Sequence, residues 1–241
     1  MIQVDFINNT VIPYCVESRG YGVLATGGIW DLPLLQQFYD RIVENRKNSY
    51  IVIDIGANIG AHSFIPYVDN RFTIHAIEPV EQCYDLLNKN KKTLNLSDDL
   101  LKTYNLGIMD VESELEITIP NAENIHWNVV STFGHNPHRA ESYESGVLKQ
   151  KVKCITLDTF VEQTSINSID AIKIDVEGAE NMVLKGGFKT LQKYKPLLLV
   201  EFENQNTLQF GYYKEDIIHT LNEIGYTNIT IVGGCDLFCT F

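Results

Sequence analysis

The chain has no run of about twenty apolar residues, the length a helix needs to cross a hydrocarbon core, so no membrane-spanning helix is expected. It is poor in positive charge: 19 Lys and Arg stand against 31 Asp and Glu, a net charge of −12. Such a chain repels nucleic acid and anionic membranes at long range, and neither is expected as a partner. The densest basic group, Lys89, Lys91 and Lys92, reads as the solvated end of a helix. Cysteines are few, odd in number and scattered, at Cys15, Cys83, Cys154, Cys235 and Cys239. That excludes a disulfide framework and favours a reducing, cytoplasmic setting in which all five are small buried thiols. Cys235 and Cys239 lack partners for zinc, no acids or histidines show metal-ligand spacing, and no metal is expected. Met1-Ile2-Gln3-Val4-Asp5 lacks the basic segment and apolar stretch of a signal peptide, so none is expected.

What is present can build a large core, since 44% of the 241 residues are hydrophobic. Residues 1–28 read as an N-terminal β extension, with strands at Ile2–Ile7 and Val11–Val16 around a turn at Asn8-Asn9. Residues 29–241 read as one α/β domain. Pro33 opens a helix over about Asp31–Glu44, with Leu34, Leu35, Phe38 and Ile42 at helical spacing. Strand Tyr50–Ile55 feeds a helix over about Gly60–Val68, and strand Phe72–Ile77 feeds another over about Gln82–Leu96. Strands follow at Leu101–Leu106 and near Glu114–Ile119. Residues 120–150 are polar with little periodicity, long for a loop, and are expected to be functional or mobile. Lys151–Ile155 reads as a strand and Leu157–Val161 as a short helix. Ile169–Ile174 is a strand, 178–187 a helix continued by a turn to Tyr194, and Pro196–Phe202 a strand buried on both faces. A helix over Lys214–Ile224 precedes a hairpin, Tyr226–Val232 and Asp236–Phe241. The pattern predicts a doubly wound sheet of about five parallel strands with an antiparallel edge.

Val52-Ile53-Asp54-Ile55-Gly56-Ala57-Asn58-Ile59-Gly60 says most about function. An apolar run ends in a glycine turn, and after the next helix and strand comes Glu78, in Ile74-His75-Ala76-Ile77-Glu78-Pro79. This is the opening of a nucleotide-binding βαβ unit, in which the acid accepts hydrogen bonds from two ribose hydroxyls. A dinucleotide fold prefers a glycine where Asn58 stands, because the pyrophosphate approaches the backbone there. Asn58 suits a cofactor with a ribose and no phosphate, such as S-adenosylmethionine, and can reach its amino-acid end. Asn105-Leu106-Gly107 ends the third strand, where the adenine is expected. The candidate cofactor-binding residues are Asp54, Gly56, Ala57, Asn58, Gly60, Glu78, Pro79, Leu106 and Gly107. The bland alternative is a turn that binds nothing, with Glu78 solvated at a strand end.

With Val52–Gly60 and Ala76-Ile77-Glu78-Pro79 taken together with Ile155-Thr156-Leu157-Asp158, Ile172-Lys173-Ile174-Asp175-Val176-Glu177-Gly178-Ala179-Glu180, Leu184-Lys185-Gly186 and Pro196–Glu201, the chain resembles the FkbM family of S-adenosylmethionine-dependent methyltransferases over roughly residues 28–205. The resemblance implies a Rossmann-like methyltransferase fold and O-methylation, often of sugar or polyketide hydroxyls. The N-terminal strands and residues 120–150 fall outside it and are expected to set the choice of acceptor, a small molecule or glycan.

Asp175 ends a strand and should face the same crevice as Gly56 and Glu78. A hydroxyl acceptor loses a proton as the new bond forms, so a base helps. Asp175 is the first candidate and Glu177 the second. Equally, Asp175 reads as a cap on the Glu177–Gly178 turn, and Glu177 and Glu180 as helix N-terminal charge. Lys173, on the same strand face as Asp175, reads as pairing with an acid or snorkelling rather than acting directly. Trp30 and Asp31 read as a cofactor cover or as packing, and His62, His126, Trp127, His135 and His138 as surface residues before catalytic ones. A nicotinamide-dependent oxidoreductase and a non-catalytic S-adenosylmethionine-binding module remain the alternatives.

Overall fold

A computed structural model describes residues 2–7, 10–15, 32–67, 69–120 and 147–241. Ile2–Ile7 (β1) and Thr10–Cys15 (β2) pair antiparallel with Ile7 opposite Thr10, the register expected around a turn at 8–9, whose two residues lie outside the described ones. Leu32–Val43 (α1) buries Leu34, Leu35, Phe38 and Ile42, the stripe that its spacing predicts. Tyr50–Ile55 (β3), Phe72–Ile77 (β4) and Leu101–Tyr104 (β5) follow, with Glu81–Thr93 (α2) between the last two. Gly107–Ile108 (β6), Ser113–Pro120 (β7) and Val147–Ile155 (β8) come next, then Leu157–Thr164 (α3) and Ala171–Ile174 (β9). Glu180–Gly186 (α4), Phe188–Tyr194 (α5), Leu197–Glu201 (β10), Asn204–Thr207 (α6), Glu215–Ile224 (α7), Asn228–Val232 (β11) and Asp236–Thr240 (β12) complete the chain.

Seven strands form one sheet in the order β11-β12-β10-β9-β3-β4-β5. β10, β9, β3, β4 and β5 are parallel, and β12 runs antiparallel to β10 and β11. This is the expected five-stranded parallel core closed by a hairpin. Side chains alternate across it. Tyr50, Val52, Ala171 and Leu199 pack with α1 on one face, while Ile53, Ile55, Ile172 and Ile174 pack with Leu184, Leu191, Ile217 and Leu221 on the other. At period two, Asp54, Lys173 and Glu201 fall on the α1 face near the carboxyl ends of their strands.

Several expectations need correction. The helix expected over about Gly60–Val68 is absent over the described residues 60–67: turns bonded three residues apart lead to a 3₁₀ turn at Ile65–Tyr67. Asn58 and Gly60 both hold positive φ, and Pro66 has no N–H to donate, so a helical ladder cannot run through them. The strand near Glu114–Ile119 exists as β7 but belongs to a second sheet, β6-β8-β7, and the Lys151–Ile155 strand starts earlier, at Val147. The third strand stops at Tyr104, before Asn105. Lys91 is not solvated: it is buried and pairs with Asp98. Cys83, Cys154 and Cys239 are buried as expected, but Cys235 is exposed beside the terminal hairpin turn. The side chain of Cys15 lies outside the described residues, as do residues 16–31 and 121–146. Among the described residues no helix is long and apolar enough to cross a membrane, and no group of acids, histidines and cysteines could hold a metal.

The second sheet bears on the site. Its buried Ile117, Ile119, Val152 and Cys154 pack with Val80, Cys83 and Ala179, at the starts of α2 and α4. It therefore braces the two loops that carry Glu78 and Glu177.

Candidate functional site

The glycine turn docks on the backbone of the neighbouring strand. Gly56 has φ +82, and a Cβ there would lie 1.8 Å from the Asp175 carbonyl oxygen. Its N–H and that of Ala57 both donate to the Ile77 carbonyl, at 3.0 and 2.9 Å, while Asp175 N–H donates to the Ile55 carbonyl at 3.1 Å. The ends of β3, β4 and β9 are thus joined at one point, which brings Gly56, Glu78 and Asp175 to the same edge of the sheet. Gly60 has another role: a Cβ there would meet Phe64 at 2.4 Å and Leu87 at 2.5 Å, so this glycine serves packing beneath the turn.

Glu78 is not a solvated strand end. It is buried, one carboxylate oxygen accepting from Asn58 N–H and the other from Val80 N–H, each at 2.8 Å. Burial pushes its pKa up to about 7 against those two amides, and Asp54 and Asp175 add to the push. Each oxygen keeps a second lone pair, so the carboxylate can still accept from a diol. Asn58 Oδ1 is a buried acceptor with no hydrogen-bond partner among the described residues. A buried acceptor beside a glycine turn and a fixed carboxylate fit a ligand that brings a ribose diol and an ammonium group, as S-adenosylmethionine does. Pro79 contributes its carbonyl, which accepts from Asn105 at 3.1 Å and from Gln150 at 2.9 Å. Asn105 also donates to the Glu78 carbonyl at 2.9 Å, tying the end of β5 to β4. Leu106 is half-buried and Gly107 is buried, in β6, where it pairs with Cys154.

Beneath the turn lies a charged line. Asp54 is buried and accepts from Ser63 Oγ at 2.5 Å, and its other oxygen lies 3.8 Å from Lys173 Nζ. Lys173 Nζ donates to Asp175 Oδ2 at 2.9 Å. Burial works against the Lys173 charge, but Asp175 and Asp54 outweigh it and hold its pKa above the ordinary lysine value. Lys173 therefore pairs with acids, as its position suggested.

The turn after β9 is organised by Glu180 rather than by Asp175. Glu180 is buried, and its Oε1 accepts from the N–H groups of Val176 at 3.1 Å and Gly178 at 3.0 Å. Burial raises its pKa to about 7. Glu177 holds φ 58, a conformation few non-glycine residues adopt. Gln209 fixes it by donating to the Glu177 carbonyl at 2.9 Å, and the Tyr212 hydroxyl donates to the Gly178 carbonyl.

The structure thus brings Asp54, Gly56, Ala57, Asn58, Glu78, Pro79, Asp175 and Glu177 to one edge of the sheet. His62 lies in the turns after the glycine motif, where its carbonyl accepts from Tyr39. Trp30, Asp31, His126, Trp127, His135 and His138 lie outside the described residues. Sequence reasoning missed Ser63, Gln150, Glu201, Asn206, Gln209 and Tyr212. Glu201 carries the same signal as Glu78 and Asp175, an acid closing an apolar strand, and was open to discovery. The others have no chemical signature in sequence.

A family model described as the Methyltransferase FkbM domain matches residues 54–227. Methyltransferase sdnD of Sordaria araneosa is 28% identical over 169 residues, 60% of this chain and 62% of its own length. Hexuronic acid methyltransferase AglP of Haloferax volcanii is 27% identical over 218 residues, 88% of this chain and 80% of its own length. The crystal structure of methyltransferase FkbM from Methylobacillus flagellatus KT superposes with a TM-score of 0.52 at 14% identity, covering 80% of this chain and 44% of that one. The chain therefore spans less than two thirds of the first relative and under half of the solved structure, and at that identity the structural likeness is one of Rossmann-like fold.

Proposed function

The chain belongs to the FkbM family of methyltransferases, and from that premise we propose that it uses S-adenosylmethionine as methyl donor and methylates a hydroxyl of a small molecule or glycan, a sugar hydroxyl first, at the edge formed by β3, β4 and β9. The observation that carries this reading is Glu78, a buried carboxylate aimed by two backbone amides beside an unsatisfied Asn58 Oδ1. The sugar preference is supported by the name of the Haloferax relative, a hexuronic acid methyltransferase. A net charge of −12 speaks for such an acceptor over nucleic acid.

S-adenosylmethionine supplies a methyl group on a sulfonium with a good leaving group, so the work left to the protein is alignment and proton removal. Glu78 would receive the ribose hydroxyls and Asn58 Oδ1 the ammonium. Asp175 and Glu177, on the adjacent loop, are the carboxylates that can accept the proton of the acceptor hydroxyl.

Calorimetry with S-adenosylmethionine tests the reading. Glu78→Ala should lose about 1.5–3 kcal/mol of binding, the worth of hydrogen bonds to a charged group. Release of S-adenosylhomocysteine across a panel of neutral sugars, amino sugars and uronic acids should then identify the acceptor class. No binding by the wild type sinks the proposal, and binding without turnover on every acceptor would leave a non-catalytic module.

A further inference from the structure

After β10 the chain folds back through residues 203–212, a stretch to which the sequence assigns no role. Asn206 Nδ2, on α6, donates to Glu177 Oε2 at 3.1 Å and lies 3.1 Å from both carboxyl oxygens of Glu201. One amide proton goes to Glu177 and the other is shared across Glu201. Asn206 is itself buried, and its carbonyl is so close to the turn that a Cβ at Gly178 would lie 2.1 Å away. The side chain at 206, with Gln209 and Tyr212, thus holds Glu177 by both its carboxylate and its backbone.

The two candidate proton acceptors differ in their partners. Asp175 Oδ2 accepts from the Lys173 ammonium at 2.9 Å, so one of its two oxygens is already engaged by a cation. The partner that Asn206 offers Glu177 is a neutral amide, and Glu201 stands on the far side of that amide. Burial, with repulsion from Glu177 and Asp175 next, drives the pKa of Glu201 well above the carboxylate range.

We propose that Asn206 is a positioning residue for methyl transfer and that the carboxylate it positions, Glu177 rather than Asp175, takes the proton of the acceptor hydroxyl. This rests on the reading of the chain as an O-methyltransferase. As the acceptor oxygen forms its bond to the methyl carbon, the carbon–sulfur bond breaks, sulfur retains the electron pair, and the hydroxyl proton passes to a Glu177 oxygen. The products are the methyl ether, a neutral thioether and protonated Glu177, which solvent then discharges.

A double-mutant cycle tests it, with S-adenosylhomocysteine release from S-adenosylmethionine and methyl glycosides of neutral hexoses as acceptors. Glu177→Gln should lower kcat roughly 10²–10⁴-fold, and Asn206→Ala roughly tenfold or more, with KM for S-adenosylmethionine and its calorimetric affinity unchanged in both. In the Glu177→Gln background, Asn206→Ala should cost nothing further in kcat, because the residue acts through Glu177. Asn206→Asp, which keeps the shape and removes the amide donor, should lower kcat likewise and stands in if Asn206→Ala does not fold. Equal losses from Asn206→Ala in both backgrounds would make it a structural residue and overturn the proposal. So would a dead Asp175→Asn beside an active Glu177→Gln. Wild-type protein that neither binds S-adenosylmethionine nor turns over would instead overturn the function itself.

Discussion

Asp54 and Lys173 stand in register on adjacent parallel strands, both buried, with their charged groups 3.8 Å apart beneath the glycine turn. The same ammonium reaches Asp175 at 2.9 Å, so one cation joins the floor of the proposed cofactor site to its rim.

Lys173→Met should therefore be costly. It leaves Asp54 buried beside an apolar side chain, and breaking a buried pair by removing one partner costs about 3–5 kcal/mol. Thermal denaturation should show a large fall in Tm, and adding Asp54→Asn should recover part of it. A Tm within a couple of degrees of wild type would mean that the line of charges does not hold the turn.

Cofactor affinity should depend on pH through Glu78. With its pKa pushed up to about 7, this carboxyl is protonated below that pH and ionised above it. Ribose hydroxyls donate to the ionised form, so below about pH 7 binding must first expel a proton, and affinity should fall by up to about tenfold per pH unit. It should level off above. Calorimetry on either side of neutrality reads this directly, and Glu78→Gln should flatten the profile. An unchanged profile in that variant would assign the dependence elsewhere.

The same group sets a stability trend in the ligand-free protein. Between the ordinary value of 4.5 and about 7 the folded state holds a proton on Glu78 that the unfolded chain has lost, so this residue's contribution falls as pH rises through that window. His75 works in the opposite sense, since burial lowers its pKa from 6.5 to about 4 and the unfolded chain binds the extra proton. Relative to wild type, Glu78→Gln should gain Tm as pH rises from about 4.5 to 7, and His75→Gln should lose it from about 4 to 6.5. Parallel curves for wild type and Glu78→Gln would contradict the first.

The two glycines of the turn should not be equivalent. An alanine Cβ at Gly56 would meet the Asp175 backbone oxygen at 1.8 Å, whereas at Gly60 it would meet the ends of the Phe64 and Leu87 side chains. Side chains can shift and a strand-end carbonyl cannot. Both substitutions are strained by positive φ, but only Gly56→Ala should abolish S-adenosylmethionine binding in protein that still folds. Loss of binding in Gly60→Ala alone would reverse the assignment.

Gln150 should matter for affinity although it lies on the second sheet. Its amide nitrogen donates to the Pro79 carbonyl at 2.9 Å, and its oxygen accepts from Glu81 N–H at 3.1 Å, bracing the loop that follows Glu78. Gln150→Ala should weaken S-adenosylmethionine binding by a few-fold, the worth of about 1 kcal/mol, with little change in Tm. Unaltered affinity would show that the loop holds its shape unaided.

Four strands of the parallel core, β3, β4, β9 and β10, were legible because each is a short apolar run closed by a glycine or an acid, and alternation and turn chemistry are local properties. Gly56, Glu78 and Asp175 could be placed together from strand order alone. The segment 60–67 was misread because its apolar content resembles a helix, while the positive φ at Asn58 and Gly60 and the proline at 66 prevent one. The β6-β8-β7 sheet was invisible as such because its pairing, Ser113 opposite Cys154, joins residues on either side of 121–146.

The sequence by itself determined where backbone must turn, which side chains must be buried and which acids end strands, since these follow from periodicity and the conformational limits of single residues. Only the tertiary structure decided what each acid faces. The register of β3 on β9 gives Asp175 and Asp54 a common lysine, and the return of the chain after β10 gives Glu177 an amide shared with Glu201. The strength of a carboxylate as an acceptor of protons depends on charges and burial within a few ångströms, and those neighbours come from strands far apart in the chain.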